Sequence, residues 1–212
     1  MGLLLKKQIP NAILGIWEIL ESSQELFSLS NLNEKEQDFY RSLKSDLRKK
    51  HWLSYRLLLP LLAPDLQNRS IEYDECGKPF LSDNRYQISV SHSGKFAALI
   101  LSDNSFVGID IELMQHKIMK LTKKFLSPQE LQYDFGAQEK ESLYVIWCAK
   151  ESLYKMHGKR DLSFKQHIII DPFSFNGHGS VTGRIHTEKT KKSHQLFYET
   201  LNDYMLVFGT AD

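Results

Sequence analysis

The sequence has few cysteines, almost no net charge and no long apolar run. Cys76 and Cys148 are its two cysteines, and their wide separation fits neither a disulfide framework nor a zinc finger. Twenty-seven Lys and Arg residues against twenty-six Asp and Glu residues give a formal charge of +1. This balance gives no reason to expect nucleic acid or an anionic membrane as a partner. No run approaches the roughly 20 apolar residues of a membrane span.

The amino-terminal segment lacks a targeting pattern. Lys6, Lys7 and Pro10 interrupt its apolar stretches, and the ordered regions of a secretory signal are missing. Gly2 is present, but Lys6 stands where a myristoylation motif needs Ser or Thr. We therefore expect a cytoplasmic protein.

The composition is that of a globular protein. The 212 residues are 42% apolar and 25% charged, so the chain can bury a core without disulfides. Helical spacing of apolar residues predicts a helical segment over 33–62, which begins at Asn33 with Glu36 completing a capping box. Pro60 and Pro64 indicate its end.

Short alternating runs predict strands around further helices. The predicted strands are 12–20, 71–73, 86–90, 96–101, 107–113, 168–170, 183–186, 194–201 and 204–208. The predicted helices are 117–125, 127–133 and 142–156. In each half helices come first and strands last, which predicts an α+β fold of two similar, pseudo-twofold lobes. Each lobe would pack a small, mostly antiparallel sheet against helices, with domains 1–103 and 104–212.

The string Gly108-Ile109-Asp110-Ile111-Glu112 can carry chemistry. In a strand, Asp110 and Glu112 point to one face and the isoleucines to the other. Two adjacent carboxylates repel each other unless a cation lies between them, and hard oxygen ligands of this kind suit Mg²⁺. The alternative is an ordinary solvent-facing strand.

A second string, Trp147-Cys148-Ala149-Lys150-Glu151-Ser152-Leu153-Tyr154-Lys155, has helical spacing. Glu151 and Lys155 lie along one stripe of the helix and Lys150 lies beside it. Glu151 can complete a carboxylate cluster with Asp110 and Glu112, and the lysines can then bind a phosphate. The alternative is a surface Glu–Lys pair worth about 0.3–0.5 kcal/mol.

Basic residues upstream offer a third set of candidates. His92 lies in the predicted turn Ser91-His92-Ser93-Gly94, where a ring N–H and backbone amides can donate to an anionic oxygen. Lys78 lies in the string Gly77-Lys78-Pro79-Phe80, and Arg56 lies in the first predicted helical segment. Taken singly, each of these side chains is typical of a solvated surface.

Together, GIDIE and WCAKESLYK, with SVSHS and GKPF upstream, resemble the 4′-phosphopantetheinyl transferase superfamily. The length and two-lobed organisation resemble its larger, surfactin-synthetase-activating branch, and the resemblance runs from about Arg48 to about Phe164. It implies an enzyme that moves the phosphopantetheine arm of coenzyme A onto a serine of an apo acyl or peptidyl carrier protein. The other product would be adenosine 3′,5′-bisphosphate, and the active site would lie in a cleft between the lobes.

The resemblance also implies roles for individual residues. Asp110, Glu112 and Glu151 would hold Mg²⁺, and Glu151 and Lys155 would be catalytic. The base for the carrier serine stays open among Glu151, Glu130 and a metal-bound water. The implied contacts with coenzyme A are Arg56, Lys78, Ser91, His92, Asp110, Lys150 and Lys155.

Further basic residues of the family pattern fall at Arg48, Lys49 and Lys50, without a choice among them. Acyl carrier domains are acidic, so the expected docking face is the basic segment formed by Lys117, Lys120, Lys123 and Lys124. The alternative for this segment is a solvated helix face.

Two other functions stay open. One is a Mg²⁺-dependent phosphoester hydrolase, and the other is a non-catalytic module that binds coenzyme A or a carrier. We expect a monomer, because two lobes in one chain place the cleft within that chain.

Overall fold

The computed structural model describes residues 2–66, 69–82, 85–188 and 191–211. The chain divides into two compact units, unit 1 (Met1–Asn104) and unit 2 (Ser105–Asp212). Each unit combines an antiparallel sheet with helices, which confirms the predicted α+β class. None of the helices in these described ranges has the length and apolar character needed to cross a bilayer.

Unit 1 is built on a four-stranded antiparallel sheet of order β1-β2-β6-β5, with β3 and β4 paired separately. Its long third helix packs on β2 and β6, and Trp52, Leu58 and Leu99 lie in the core between them. The strands are β1 (Leu3–Ile9), β2 (Ala12–Glu18), β3 (Ile71–Tyr73), β4 (Pro79–Leu81), β5 (Gln87–Ser93) and β6 (Phe96–Ser102). The helices are α1 (Ser23–Leu29), α2 (Glu34–Ser42) and α3 (Asp46–Leu62).

The helical segment predicted over 33–62 is two helices rather than one. Asn33 begins α2 with the predicted capping box, since its side chain accepts from the Glu36 N–H and the Glu36 carboxylate accepts from the Asn33 N–H. Helix α2 ends at Ser42, and the Ser45 side chain caps the start of α3. Pro60 lies inside α3, close to its carboxyl end, and does not terminate it.

Unit 2 contains a five-stranded antiparallel sheet of order β7-β11-β10-β9-β8, and its long helix α5 lies on β7 and β11. The strands are β7 (Phe106–Leu113), β8 (Ile168–Ile170), β9 (His178–His186), β10 (Lys191–Leu201) and β11 (Tyr204–Ala211). The helices are α4 (Thr122–Phe125) and α5 (Glu139–His157), with short 3₁₀ turns at His116–Lys120, Glu130–Gln132 and Gly136–Gln138.

Both units begin with strands, so the general order of helices before strands is wrong, although the predicted strands 12–20 and 107–113 are confirmed as β2 and β7. Unit 1 opens with the hairpin β1–β2, and unit 2 opens with β7. Strand β1 was not predicted, because it is an edge strand that carries Lys6 and Lys7. Lysines are common on such edges, where they discourage pairing with other chains, and here they hide the apolar alternation.

Candidate active site

Strand β7 positions the acidic string, and a glycine allows helix α5 to approach it. Asp110 is 4% exposed, whereas Glu112 is partly exposed. A Cβ atom on Gly108 would lie 2.1 Å from the carbonyl oxygen of Ser152 on α5. No real side chain tolerates that distance, so only glycine permits this packing. Gly108 therefore has a positional role that the sequence pattern alone did not reveal.

Lys155 of α5 reaches across to β7. Its Nζ donates to the backbone oxygen of Ile109 at 2.8 Å and to Oδ1 of Asp110 at 2.7 Å. The Asp110 side chain is 5% exposed and that of Lys155 is 26% exposed. The Lys155 ammonium thus neutralises the charge of the buried Asp110 carboxylate. Its third N–H donor can bind an anionic ligand on the exposed side.

Glu151 lies one helical turn before Lys155. Its pKa is raised to about 7, first by burial and then by the negative charge of Asp110; Lys155 lowers it and Glu112 raises it. The charges of the three carboxylates therefore act on one another. A carboxyl with this pKa can exchange a proton near neutral pH. We call Asp110, Glu112, Glu151 and Lys155 the carboxylate–lysine site.

The donor set of this site has the chemistry that Mg²⁺ prefers, since carboxylate oxygens are its usual protein ligands. The pKa of Glu151 is raised first by burial and then by the charges of Asp110 and Glu112, and a divalent cation bound here would oppose both effects. Within the described ranges, however, no group of three or more His, Cys, Asp or Glu side chains is gathered closely enough to hold a metal ion. In this arrangement the positive charge beside Asp110 is the ammonium of Lys155.

Lys150 lies elsewhere, contrary to the predicted phosphate contact. Its side chain is fully buried, and Nζ is 2.6 Å from Oε2 of Glu130. It also lies 2.9, 2.8 and 2.7 Å from the backbone oxygens of Phe125, Phe164 and Ile168. An ammonium has three donors, so Lys150 has none left for a phosphate.

Glu130 is equally enclosed, which weighs against it as the base. Its Oε2 accepts from the backbone N–H of Ser127 at 2.7 Å, and its Oε1 accepts from that of Ile170 at 2.9 Å. The side chain is fully buried beside Lys150. A substrate hydroxyl could reach this carboxylate only if the surrounding segments moved apart.

A second group of predicted residues lies in unit 1, around His92. Nη1 of Arg48, in the first turn of α3, contacts Nε2 of His92. Lys50 instead pairs with Asp46 at 3.4 Å, and Lys49 lies over a tyrosine ring. Among the three basic residues that the sequence left open, the structure therefore brings Arg48 to His92.

Lys78 and Ser91 complete the candidates on the strands of unit 1. Ser91 lies on β5 and is 7% exposed. Lys78 ends the turn between β3 and β4, where its backbone N–H donates to Oδ1 of Asp74 at 2.8 Å. Burial lowers the pKa of the Lys78 ammonium, and the Asp74 carboxylate partly opposes this. Their contacts with coenzyme A stay predictions.

The guanidinium of Arg56 is occupied by contacts within unit 1. These contacts do not favour its predicted binding to the nucleotide. Its Nε donates to Oε1 of Glu36 at 3.1 Å, and its Nη2 donates to the backbone oxygen of Ile71 at 2.8 Å. The guanidinium also lies 3.5 Å from the centre of the Trp52 ring. With 8% of its side chain exposed, Arg56 joins α2, α3 and β3.

The fold and the carboxylate–lysine site define an α+β protein with an acidic strand and a Glu/Lys helix in its second unit. Residues 106–208 match the family model described as the 4′-phosphopantetheinyl transferase superfamily. This match supports the resemblance to the superfamily that the motifs predicted.

Individual relatives agree with this assignment. A Synechocystis protein provisionally named a 4′-phosphopantetheinyl transferase is 35% identical over 124 residues, which cover 52% of this chain and 50% of that protein. A Bacillus subtilis 4′-phosphopantetheinyl transferase is 36% identical over 96 residues, 42% of each chain. The Escherichia coli K12 4′-phosphopantetheinyl transferase AcpT is 32% identical over 117 residues, 52% of this chain and 59% of AcpT. The chain thus spans about half the length of these relatives.

Proposed function

We propose that this chain transfers the 4′-phosphopantetheine arm of coenzyme A to a serine of an apo acyl or peptidyl carrier protein and releases adenosine 3′,5′-bisphosphate. The observation that carries the proposal is the juxtaposition of Asp110, Glu151 and Lys155 within the unit that the superfamily model matches. The names of the matched relatives support the same activity.

In this reaction the serine Oγ attacks the phosphorus that bears the pantetheine arm. The bond from that phosphorus to the bridging oxygen breaks, and the nucleotide leaves with the electron pair. We assign the serine proton to Glu151, one of the three candidates for the base, either directly or through a bound water. Lys155 supplies positive charge beside it, where negative charge develops in the transition state.

Asp110, Glu112 and Glu151 would hold Mg²⁺ in the working enzyme. A bound Mg²⁺ would neutralise the pyrophosphate charge and orient the group. Arg48, His92, Ser91 and Lys78 remain the candidates for the nucleotide phosphates. On this assignment unit 1 contacts coenzyme A and unit 2 carries the metal and the chemistry, in a cytoplasmic monomer.

The test is incubation of the chain with coenzyme A, Mg²⁺ and a panel of apo carriers, followed by intact-protein mass spectrometry. We expect one carrier to gain the mass of one phosphopantetheine arm, and its serine-to-alanine variant to gain nothing. EDTA should stop the transfer. Release of adenosine bisphosphate without any carrier would instead favour a hydrolase, and coenzyme A binding without transfer to any carrier would favour a binding module.

The carrier should dock on the basic segment that follows β7. Its lysines are Lys117, Lys120, Lys123 and Lys124, all exposed, while Ile118 and Phe125 of the same segment are buried. The lysines therefore project from a segment anchored in the core, and carrier domains are acidic. This charge complementarity supports the proposed docking face.

Charge reversal at Lys120 and Lys124 should raise the KM for the carrier by about tenfold or more, because two attractive contacts become repulsive. The affinity for coenzyme A should stay unchanged, and the salt dependence of carrier modification should weaken. The matched control is charge reversal at the exposed Lys165 and Lys191 of the same unit. If the two double variants modify the carrier with equal kinetics, the basic segment is not the docking face.

A further inference from the structure

A buried tyrosine hydroxyl in unit 2 holds the chain where it leaves strand β7. Oη of Tyr144, on α5, accepts from the backbone N–H of Gln115 at 3.0 Å and donates to the backbone oxygen of Gln115 at 3.3 Å. Tyr144 is 3% exposed and lies 29 residues away along the chain. A single side chain therefore binds both polar groups of one backbone residue.

The backbone of Gln115 explains how one hydroxyl reaches both groups. Its φ of −131° and ψ of 152° are extended values, and the N–H and C=O of an extended residue point to the same side. Strand β7 pairs with β11 as far as Leu113, which lies opposite Tyr204. Two residues later, Tyr144 provides the two bonds that a strand partner would provide at Gln115.

The Tyr144 hydroxyl can make both bonds at neutral pH. Burial raises the pKa of Tyr144, the bond from the Gln115 N–H lowers it, and the negative charge of Glu112 raises it again. The net shift is upward, so the hydroxyl keeps its proton and can donate while its oxygen accepts.

Tyr144 and the proposed base share one stripe of α5. Glu151 follows Tyr144 by seven residues, which is close to two full turns of about 3.6 residues each. The two side chains therefore project in nearly the same direction. The helix that carries Glu151 is the helix that binds Gln115.

Gln115 is also the start of the basic segment. Its carbonyl oxygen accepts from the N–H of Ile118 at 3.3 Å, which forms the 3₁₀ turn His116–Lys120. This turn carries Lys117 and Lys120, both of which are exposed. The bonds at Gln115 thus join the first turn of the basic segment to α5.

We propose that Tyr144 is a positioning residue whose bonds to Gln115 pre-organise the carrier-docking segment beside the helix that carries Glu151. The docking of a carrier on this segment rests on the proposed function. A carrier would bind a segment that is already ordered, so less free energy is lost to ordering when the complex forms. Tyr144 is buried, and it acts through the segment instead of contacting a substrate.

A second tyrosine of unit 2 offers a matched control. Oη of Tyr198, on β10, accepts from the backbone N–H of Asn176 at 3.3 Å and donates to the backbone oxygen of Ser174 at 3.4 Å. Tyr198 is 2% exposed. It binds a different loop through the same two kinds of bond. Replacement of either tyrosine by Phe keeps the ring and removes both bonds.

The first experiment needs no ligand. Amide hydrogen exchange of the full chain, followed by NMR, reports the opening of individual N–H groups. Tyr144→Phe should speed exchange at Gln115 by about fivefold or more and leave Asn176 unchanged, whereas Tyr198→Phe should do the reverse. Unchanged exchange at Gln115 in Tyr144→Phe would overturn the anchor.

The second experiment compares steady-state kinetics. Tyr144→Phe should raise the KM for the carrier about fivefold, with kcat and the KM for coenzyme A within about twofold of the wild type. Tyr198→Phe should leave all three values within about twofold. A loss of stability alone would lower the active fraction, and therefore kcat, without changing the carrier KM. Equal carrier KM in the wild type and in Tyr144→Phe would overturn the positioning role.

A double-mutant cycle tests whether Tyr144 acts through the basic segment. In a chain that already carries Lys120→Glu and Lys124→Glu, adding Tyr144→Phe should change the carrier KM by less than about twofold. An undiminished effect in that background would contradict this route. A wild-type chain that modifies no carrier would refute the proposed function and the positioning role with it, whereas faster exchange at Gln115 in Tyr144→Phe would still establish the anchor. The two failures are therefore distinguishable.

Discussion

Replacing Glu151 by Gln should lower transfer by about a hundredfold or more and, at the same time, make the metal-free protein more stable above pH 7. The loss of activity follows from removal of the proposed base and metal ligand. The gain in stability follows because burial and the charges of Asp110 and Glu112 make an ionised Glu151 unfavourable in the folded chain. The uncharged amide has a similar shape and avoids that cost.

The gain has a defined pH window. The pKa of Glu151 rises from 4.5 to about 7 on folding, so the folded chain binds more protons between these values and loses stability as the pH rises through them. Urea unfolding in EDTA should show Glu151→Gln to be more stable by about 3 kcal/mol at pH 8. The difference should fall below about 0.5 kcal/mol at pH 4.5, where the wild-type carboxyl is largely protonated.

Glu139→Gln is the matched control, because Glu139 is exposed on the same helix. It should change neither transfer nor the pH dependence of unfolding by a comparable amount. Near-normal turnover in Glu151→Gln would contradict the role of this carboxylate, and a loss of stability at pH 8 would contradict the electrostatic account of the site.

Replacing Lys150 by Met should destabilise unit 2 by about 3–5 kcal/mol, the usual range for removing one partner of a buried ion pair. The change leaves Glu130 charged and fully buried, and it also removes the donor shared by three backbone oxygens. Urea unfolding measures the loss. Glu130→Gln combined with Lys150→Met should be more stable than Lys150→Met alone, because no uncompensated buried charge remains.

Lys95→Met controls for the loss of a lysine. Lys95 pairs with Glu18 at 2.7 Å, but the side chains are 48% and 24% exposed, so we expect a cost below about 1 kcal/mol. If Lys150 contacted a phosphate instead, Lys150→Met would fold with near wild-type stability and bind coenzyme A poorly. That outcome would restore the role that the sequence pattern suggested.

Local features of the chain were predictable because they depend on neighbours in the sequence. The capping box of Asn33 and Glu36 needs contacts over only three residues, and it begins α2 as predicted. The alternation in GIDIE needs only the two-residue period of a strand, and β7 forms there. Strand β1 had no such signal in the sequence. It is an edge strand, and edge strands carry polar residues, here lysines, at positions that an interior strand would fill with apolar ones.

The roles of adjacent charged residues were not predictable in the same way. Lys150 and Glu151 are neighbours in one helical string, yet Lys150 is enclosed with Glu130 while Glu151 interacts with Asp110. Successive residues of a helix point about 100° apart, so the direction in which α5 meets the sheet decides which of them faces β7. That direction depends on long-range packing, including the close approach at Gly108.

The α+β class, the superfamily resemblance, and the acidic strand and Glu/Lys helix that carry the proposed chemistry could all be read from the amino-acid sequence, because short motifs and periodic patterns encode them. Which charged side chains can reach a ligand and which form pairs inside the fold depends on the packing of distant segments. The fold encloses Lys150 with the buried Glu130, pairs Arg56 with the partly buried Glu36, and brings Arg48 to His92. The reason is energetic: an unpaired charge cannot be buried, and its partner can come from any distance along the chain.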